Sequence, residues 1–212
     1  MPLPLAHSLA AAVVYKGLDA DGRFVAWKRL LLAVVIANLP DLDLIPGILV
    51  GEPNRYHHVG FSHSVIFAAV AAVVVGLAAA AVGRSWPTWC NRLSGAAGTA
   101  MMVGLLVGSH VLLDTLNSDF RPPVGPPIFW PLSNASVQIY PWFVDVAKLS
   151  GEGSAVDFVV SVLTVHNLYA MLWEFATLAP VLVLVVWWRS RRDNGRRQAG
   201  GPAGQRDLDE AA

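Results

Sequence analysis

Four long apolar segments constrain this chain most, because each is long enough to cross a lipid bilayer as an α-helix. They cover residues 30–50, 65–82, 96–116 and 168–188 of the 212 residues. About 20 apolar residues span the hydrocarbon core, and helices satisfy their own backbone hydrogen bonds there. The composition agrees, since 55% of the residues are hydrophobic and only 14% are charged, whereas soluble domains are about 25% charged. We therefore predict an all-α, polytopic membrane bundle of about four spanning helices.

The remaining segments complete this plan. Residues 5–15 and 155–166 are apolar but too short to cross, so we expect one or two short re-entrant or interfacial helices. Residues 1–188 then form one membrane domain, and the polar, Gly-rich residues 189–212 are predicted to be a disordered tail. A formal net charge of zero argues against a nucleic-acid partner. The single cysteine, Cys90, excludes an intramolecular disulfide and a thiolate-cluster metal site.

The distribution of basic residues predicts the orientation of the chain in the membrane. If the four segments alternate in direction, 12 of the 15 lysines and arginines lie on one side. They precede the first segment, connect the second to the third, and follow the fourth. Only Arg55, Arg121 and Lys148 fall on the other side. Because cytoplasmic loops carry the excess of basic residues, we predict a cytoplasmic C-terminus.

Histidines and aspartates lie within or beside the apolar segments, where ionisable groups are costly and usually functional. The topology places them at one depth, in the outer half of the bilayer. Mixed imidazole and carboxylate donors suit a divalent ion such as zinc, with manganese as the alternative. We predict a site for one or two such ions on the extracytoplasmic side, with no organic cofactor. Its candidate ligands are His7, Asp41, Asp43, His57, His58, His63, His110 and Asp114.

Three local patterns carry this prediction. Pro40-Asp41-Leu42-Asp43 interrupts an apolar segment, although either carboxylate is also suited to capping a following turn. The segment 57–64 contains three histidines, and Ser62 or Ser64 is suited to capping the next helix; which of the adjacent pair His57 and His58 is a ligand stays open. The spacing of His110 and Asp114 puts both on one helical face. His166 and Glu174 also share a face, and their role stays open.

These motifs, taken in order, resemble the YdjM-like family of bacterial inner-membrane proteins, which are predicted metal-dependent hydrolases. The resemblance covers residues 5–131 and extends to the proline-rich segment 125–131. It departs from the family pattern at Val59, where the family has an arginine. The resemblance implies a location in the inner membrane and a hydrolytic reaction.

The leading functional hypothesis is a hydrolase that uses metal-activated water, with Asp43 or Asp114 as the general base. Its expected substrate is a membrane lipid or another amphiphile, with a phosphoester as the expected bond. Two other classes use the same donors: a divalent-cation transporter, and a metal-stabilised membrane protein without catalysis. The absence of a visible internal repeat and the placement of the polar groups on one side disfavour the transporter.

Overall fold

The computed structural model describes residues 2–18, 27–52, 60–82, 95–118, 124–147 and 153–199. Within these ranges it contains seven α-helices and no strand, which confirms the all-α prediction. The helices are α1 (Pro4–Leu18), α2 (Trp27–Ala37), α3 (Leu44–Leu49), α4 (Val65–Ala81), α5 (Ala96–Asp114), α6 (Ala155–Val162) and α7 (Val165–Ala199). A short 3₁₀ helix, Pro40–Asp43, separates α2 from α3.

The number of membrane spans is two or three by helix length and composition. α5 and the Val165–Arg192 part of α7 are each long and apolar enough to cross. Trp27–Ala37 and Pro40–Leu49 make a third span if this pair, bent by 50°, is counted as one. α4 has 17 residues, at the lower limit of the range of about 17–25 that spans a bilayer. The predicted count of about four is therefore not confirmed.

α1 is the centre of the described fold, although the sequence predicted a re-entrant or interfacial helix there. It packs against α2, α5 and α7. Ala11 and Tyr15 of α1 are buried together with Met102 and Leu106 of α5. The small alanines of α1 allow three neighbouring helices to approach it, which is how membrane helices gain packing energy.

α4 and α5 pack closely through small residues. A Cβ atom at Gly76 of α4 would lie 2.8 Å from the Cβ of Ala100, and one at Gly104 of α5 would lie 3.2 Å from the Cβ of Ala72. Such glycines bring helix backbones together in a bilayer. Because His110 and Asp114 lie farther along the same helix, this contact holds the end of α5 beside the start of α4.

The break between α2 and α3 follows from its residues. Pro40 has no backbone N–H to continue the α-helical hydrogen bonds of α2. The side-chain amide of Asn38 donates to the carbonyl of Val34 at 2.8 Å. The chain then continues with 3₁₀ hydrogen bonds, such as Leu42 N to Leu39 O at 3.1 Å. This break turns Asp41 and Asp43 away from the regular helical path.

The segment 124–147 covers the ends of α4 and α5 on the side that carries the candidate ligands. Val65 N at the start of α4 donates to Ile128 O at 2.9 Å, and Ile139 N donates to Thr115 O after α5 at 2.8 Å. The carbonyl of Leu116 accepts from Trp142 N at 2.8 Å and from Phe143 N at 2.9 Å. The bonds to Thr115 and Leu116 satisfy carbonyls that the end of α5 leaves without a partner.

α7 continues to Ala199, past residue 189 where the sequence predicted a disordered tail to begin; the division of the chain into a membrane domain and a tail stays a prediction. Arg191 lies 4.4 Å from the ring centre of Trp187, and Arg192 lies 4.7 Å from that of Trp188. Such cation–π contacts stabilise arginines that lie on α7 one helical turn after the two tryptophans. Residues 200–212 lie outside the described ranges, as do Arg55, Cys90, Arg121 and Lys148.

Candidate metal centre

The structure brings six of the eight candidate ligands together from separate parts of the chain. His7 comes from α1, Asp41 and Asp43 from the 3₁₀ helix, and His63 from the residues just before α4. The remaining two are on α5 and are His110 and Asp114. His57 and His58 lie outside the described residues, so their place relative to this group stays a prediction.

Four donor atoms form a closed ring at the centre of the group. Oδ1 of Asp41 lies 3.5 Å from Nε2 of His63 and 3.5 Å from Nε2 of His110. Oδ2 of Asp114 lies 3.5 Å from the same atom of His63 and 3.3 Å from that of His110. A tetrahedral ion with bonds of 2.0–2.1 Å separates its ligands by about 3.3–3.4 Å. Each of the four spacings is therefore close to the distance between two ligands of one such ion.

The same distances are too long for ordinary hydrogen bonds, which join N and O at about 2.7–3.2 Å. Both nitrogens of His7, both nitrogens of His110 and both oxygens of Asp41 are buried, with no hydrogen-bond partner among the described residues. Buried polar atoms in proteins rarely lack a hydrogen-bond partner. A cation between the imidazoles and carboxylates would give several of them a partner, so this donor set fits a divalent ion.

His7 extends the centre beyond four donors. Its Nε2 lies 3.7 Å from Oδ1 of Asp114, the oxygen that faces away from the ring of four. Its imidazole stacks on that of His110, with ring centres 3.7 Å apart and planes at 19°. Asp114 therefore faces donors through both oxygens. Two overlapping triplets of possible ligands result: His7, His110 and Asp114, and Asp41, His63 and His110.

Asp43 contacts the outer nitrogen of His63, not the nitrogen that faces the ring. Its Oδ2 lies 3.2 Å from His63 Nδ1. The hydroxyl of Ser62 donates to the same oxygen at 2.8 Å and lies 3.0 Å from His63 Nδ1. A carboxylate on the far nitrogen of a metal-binding histidine orients the ring and fixes its tautomer. This is the position in which the structure places Asp43, while its neighbour Asp41 faces the centre.

The local backbone around His63 follows from its neighbours in sequence. Ser64 caps α4, because its hydroxyl accepts a hydrogen bond from Phe67 N at 3.0 Å. Gly60 has a φ of +132°, and a Cβ there would lie 2.7 Å from Cδ1 of Trp130. Only glycine fits this conformation and this close approach. His63 therefore lies just before the helix, between a turn and a cap that fix its direction.

Neither Asp41 nor Asp43 makes the capping hydrogen bond that was the alternative interpretation of this motif. Asp43 occupies the position before α3, but its side chain accepts no capping hydrogen bond there, and the 3₁₀ helix has no side-chain cap. Both carboxylates instead face histidines, as described above. The motif thus contributes to the centre through its irregular backbone.

Glu174 of α7 holds the helix that carries His7. Its carboxylate is fully buried and accepts hydrogen bonds from Leu3 N at 2.5 Å and Ala6 N at 3.1 Å. Leu3 immediately precedes α1 and Ala6 lies in its first turn, where backbone N–H groups have few partners within the helix; Ala6 N also donates to Leu3 O at 3.0 Å. The sequence drew attention to Glu174 as a carboxylate within a span, but it did not reveal this partner. His166 is elsewhere, with its Nε2 2.7 Å from Asp145 O.

Comparison with known proteins decides the family. Residues 1–192 match the YdjM inner membrane protein family. The chain belongs to this family. It is also similar to the inner membrane protein YbcI of Escherichia coli K12, with 26% identity over 195 residues, which is 90% of this chain and 100% of that protein. No solved structure matches. Family and relative support the predicted resemblance and an inner-membrane location.

Proposed function

We propose that this protein is a membrane-embedded, metal-dependent hydrolase. The observation that carries the proposal is the ring of four donor atoms with spacings of 3.3–3.5 Å. His63, His110, Asp41 and Asp114 would hold one divalent ion. Two imidazoles and two carboxylates favour zinc, and manganese is the alternative.

The number of donors favours a reactive centre over a purely structural one. A structural zinc site is usually closed by four ligands. Here His7 and the second oxygen of Asp114 lie 3.7 Å apart beside those four, and they offer part of a second position. One or two ions are therefore proposed, and two would suit the cleavage of a phosphoester.

A bound divalent ion would lower the pKa of a water ligand to about 7 and so supply hydroxide at neutral pH. The chain's own residues do the rest. We assign Asp43 and Ser62 to the orientation of His63, through the contacts at its Nδ1. With one ion bound, Oδ1 of Asp114 holds no metal, and Asp114 is then the better placed of the two predicted bases to accept a proton. The proposed substrate is a lipid-like ester or phosphoester, reached from the outer leaflet.

The test combines metal analysis of the purified protein with hydrolysis assays on a panel of lipid esters and phosphoesters. Wild type is compared with His63→Ala and Asp41→Ala. His166→Ala is the matched control, because its imidazole contacts only the backbone carbonyl of Asp145 among the contacts described for it. We expect bound metal and turnover in wild type and control, and loss of both in the two variants. Wild-type protein that takes up no zinc or manganese would refute the proposal.

One observation favours a metal-stabilised protein without catalysis. The side chains of His63, His110 and Asp114 are fully buried, and that of Asp41 is only 13% exposed. Such burial leaves little room for water and substrate at the ion, as in a structural site whose coordination is completed by protein ligands. The same experiment separates the two functions, because a structural site would bind metal, lose stability in the variants, and hydrolyse nothing in the panel.

A further inference from the structure

An apolar pocket of about 180 Å³ lies directly beside the metal centre. Its walls come from residues 2–4 at the start of α1, from the 3₁₀ helix and the start of α3, from Val146 and from α6. Asp41 forms part of the wall, together with Leu3, Leu44, Phe158 and Val162. The pocket and the candidate metal centre therefore share one residue.

The chemistry of the pocket selects its ligand. Its surface is apolar throughout. Both carboxylate oxygens of Asp41 are buried away from it, so this residue presents carbon atoms to the pocket and oxygens to the histidines. A dry cavity of about 150 Å³ binds a six-carbon hydrocarbon such as benzene. The pocket is thus suited to a hydrocarbon segment of similar size, separated from the centre by one side chain.

α6, which lines the pocket, is also apolar on its outer side. Phe158 and Val162, one turn apart, line the pocket. Val156, Val159 and Val160 are 70%, 56% and 61% exposed, so the other side of the helix is also apolar. A capping box between Ser154 and Asp157 fixes the start of α6, and hydrogen bonds from Ser154 hold the pKa of Asp157 below its usual value. In a membrane protein, an exposed apolar helix face of this kind is suited to contact with lipid chains.

We propose that this pocket binds the hydrocarbon chain of the substrate, which enters sideways from the bilayer past α6. This inference rests on the proposed hydrolase function, and it identifies the substrate as an amphiphile with a flexible alkyl chain. A chain in the pocket would bring the adjoining head group to the edge of the centre at Asp41. Val162 and Phe158 then limit how much of the chain fits.

The experiment uses full-length protein in phosphatidylcholine nanodiscs that contain dodecyl phosphate with a diazirine at the chain end. After irradiation, mass spectrometry maps the labelled peptides. Val162→Trp fills the pocket, whereas Val159→Trp adds the same side chain on the exposed side of α6 and is the matched control. The peptide around Val183 and Leu184 of α7, which are 65% and 61% exposed, gives the level of general lipid contact.

We expect labelling near Leu3, Leu44 and Phe158 above the α7 level in wild type and in Val159→Trp. In Val162→Trp it should fall about tenfold, the change expected when two methylene groups are excluded from an apolar site. Equal labelling in both tryptophan variants would overturn the proposal. The readout requires no turnover: pocket labelling in a protein that binds no metal would refute the hydrolase and leave the chain-binding pocket standing, whereas metal-dependent turnover with unchanged labelling in Val162→Trp would refute the pocket alone.

Discussion

At the scale of single residues, Asp41 and Asp43 illustrate how two similar groups take different positions. Asp41 lies within 3.5 Å of the inward nitrogens of His63 and His110. Asp43 lies 3.2 Å from the outward nitrogen of His63 and accepts the hydroxyl of Ser62. A direct ligand supplies bonding energy to the ion, whereas an outer carboxylate acts through the orientation and basicity of the imidazole.

Asp43→Ala should therefore weaken zinc affinity by about 10–100-fold, the usual effect of removing an outer partner of a metal ligand. Asp41→Ala should weaken it more, because a direct donor is lost. Competitive titration with a metal chelator measures both. Asp157→Asn changes an exposed carboxylate on α6 and should bind zinc as wild type does. Equal losses for Asp41→Ala and Asp43→Ala would instead make Asp43 a direct ligand, as the sequence alone predicted.

The sequence predicted which residues lie close together better than it predicted which of them contact each other. Ionisable side chains in apolar segments identified six residues that the structure brings together. Their contacts could not be read in the same way, because a 3₁₀ helix has three residues per turn and two residues two apart on it point in different directions. Only the bend after Pro40 determines which of them faces the histidines.

At the scale of helices, Glu174 joins α7 to the start of α1. Its two hydrogen bonds satisfy the N–H groups of Leu3 and Ala6, and the next residue is His7. Glu174→Ala should lower the free energy of unfolding by about 1–2 kcal/mol, the value of a lost helix cap. It should also reduce metal affinity, because α1 would hold His7 less firmly. Thermal unfolding and metal titration measure the two effects.

Ser154→Ala is the matched control, since it removes the cap of α6, a helix without a candidate ligand. It should cost similar stability and leave metal affinity unchanged. The double variant His7→Ala with Glu174→Ala should lose less metal affinity than the sum of the single variants, because both act through one ligand. Additive losses would show that Glu174 does not act through His7.

The contact between α4 and α5 makes a second prediction for helices. Gly76→Ala should destabilise the protein by about 1–3 kcal/mol, the usual effect of overpacking, because its new Cβ would lie 2.8 Å from that of Ala100. Gly108→Ala on α5 is the control, since among the described residues no atom lies within 4 Å of its Cβ position, apart from its chain neighbours and the nearby backbone of α5 itself. It should leave the melting temperature unchanged or raise it. A Gly76→Ala protein as stable as wild type would contradict this prediction, because it would show that α4 and α5 shift apart to accommodate the new Cβ at no cost in stability.

The helix boundaries could be predicted from the sequence, but the packing of α1 could not. The boundaries of α4 and α5 agree closely with the predicted segments, because polar residues flank their apolar runs. The central position of α1 had no such signal: a 15-residue, alanine-rich helix has neither the length of a span nor a polar face. Its burial follows from contacts with α2, α5 and α7, which are distant in sequence.

At the scale of the whole molecule, the candidate metal centre lies at the end of α5 that the segment 124–147 covers. α4 ends and α5 begins at the opposite end of this helix pair, and the sequence that connects them carries Arg84 and Arg92. If both helices cross the membrane, basic residues place this connection in the cytoplasm. The centre would then face the extracytoplasmic side, where a hydrolase would meet outer-leaflet lipids.

Cysteine labelling tests this orientation with the single native cysteine, Cys90, which belongs to that connection. A membrane-impermeant maleimide added to spheroplasts should leave Cys90 unlabelled until the membrane is opened, because the reagent reaches only extracytoplasmic thiols. Asn134→Cys in a Cys90→Ser background is the matched control, since residue 134 is exposed in the covering segment, and it should react at once. The reverse pattern would place the basic connection outside and the metal centre toward the cytoplasm. The positive-inside distribution makes that pattern unfavourable, because Arg84 and Arg92 would then lie on the outer side, together with ten further basic residues if all four predicted segments cross.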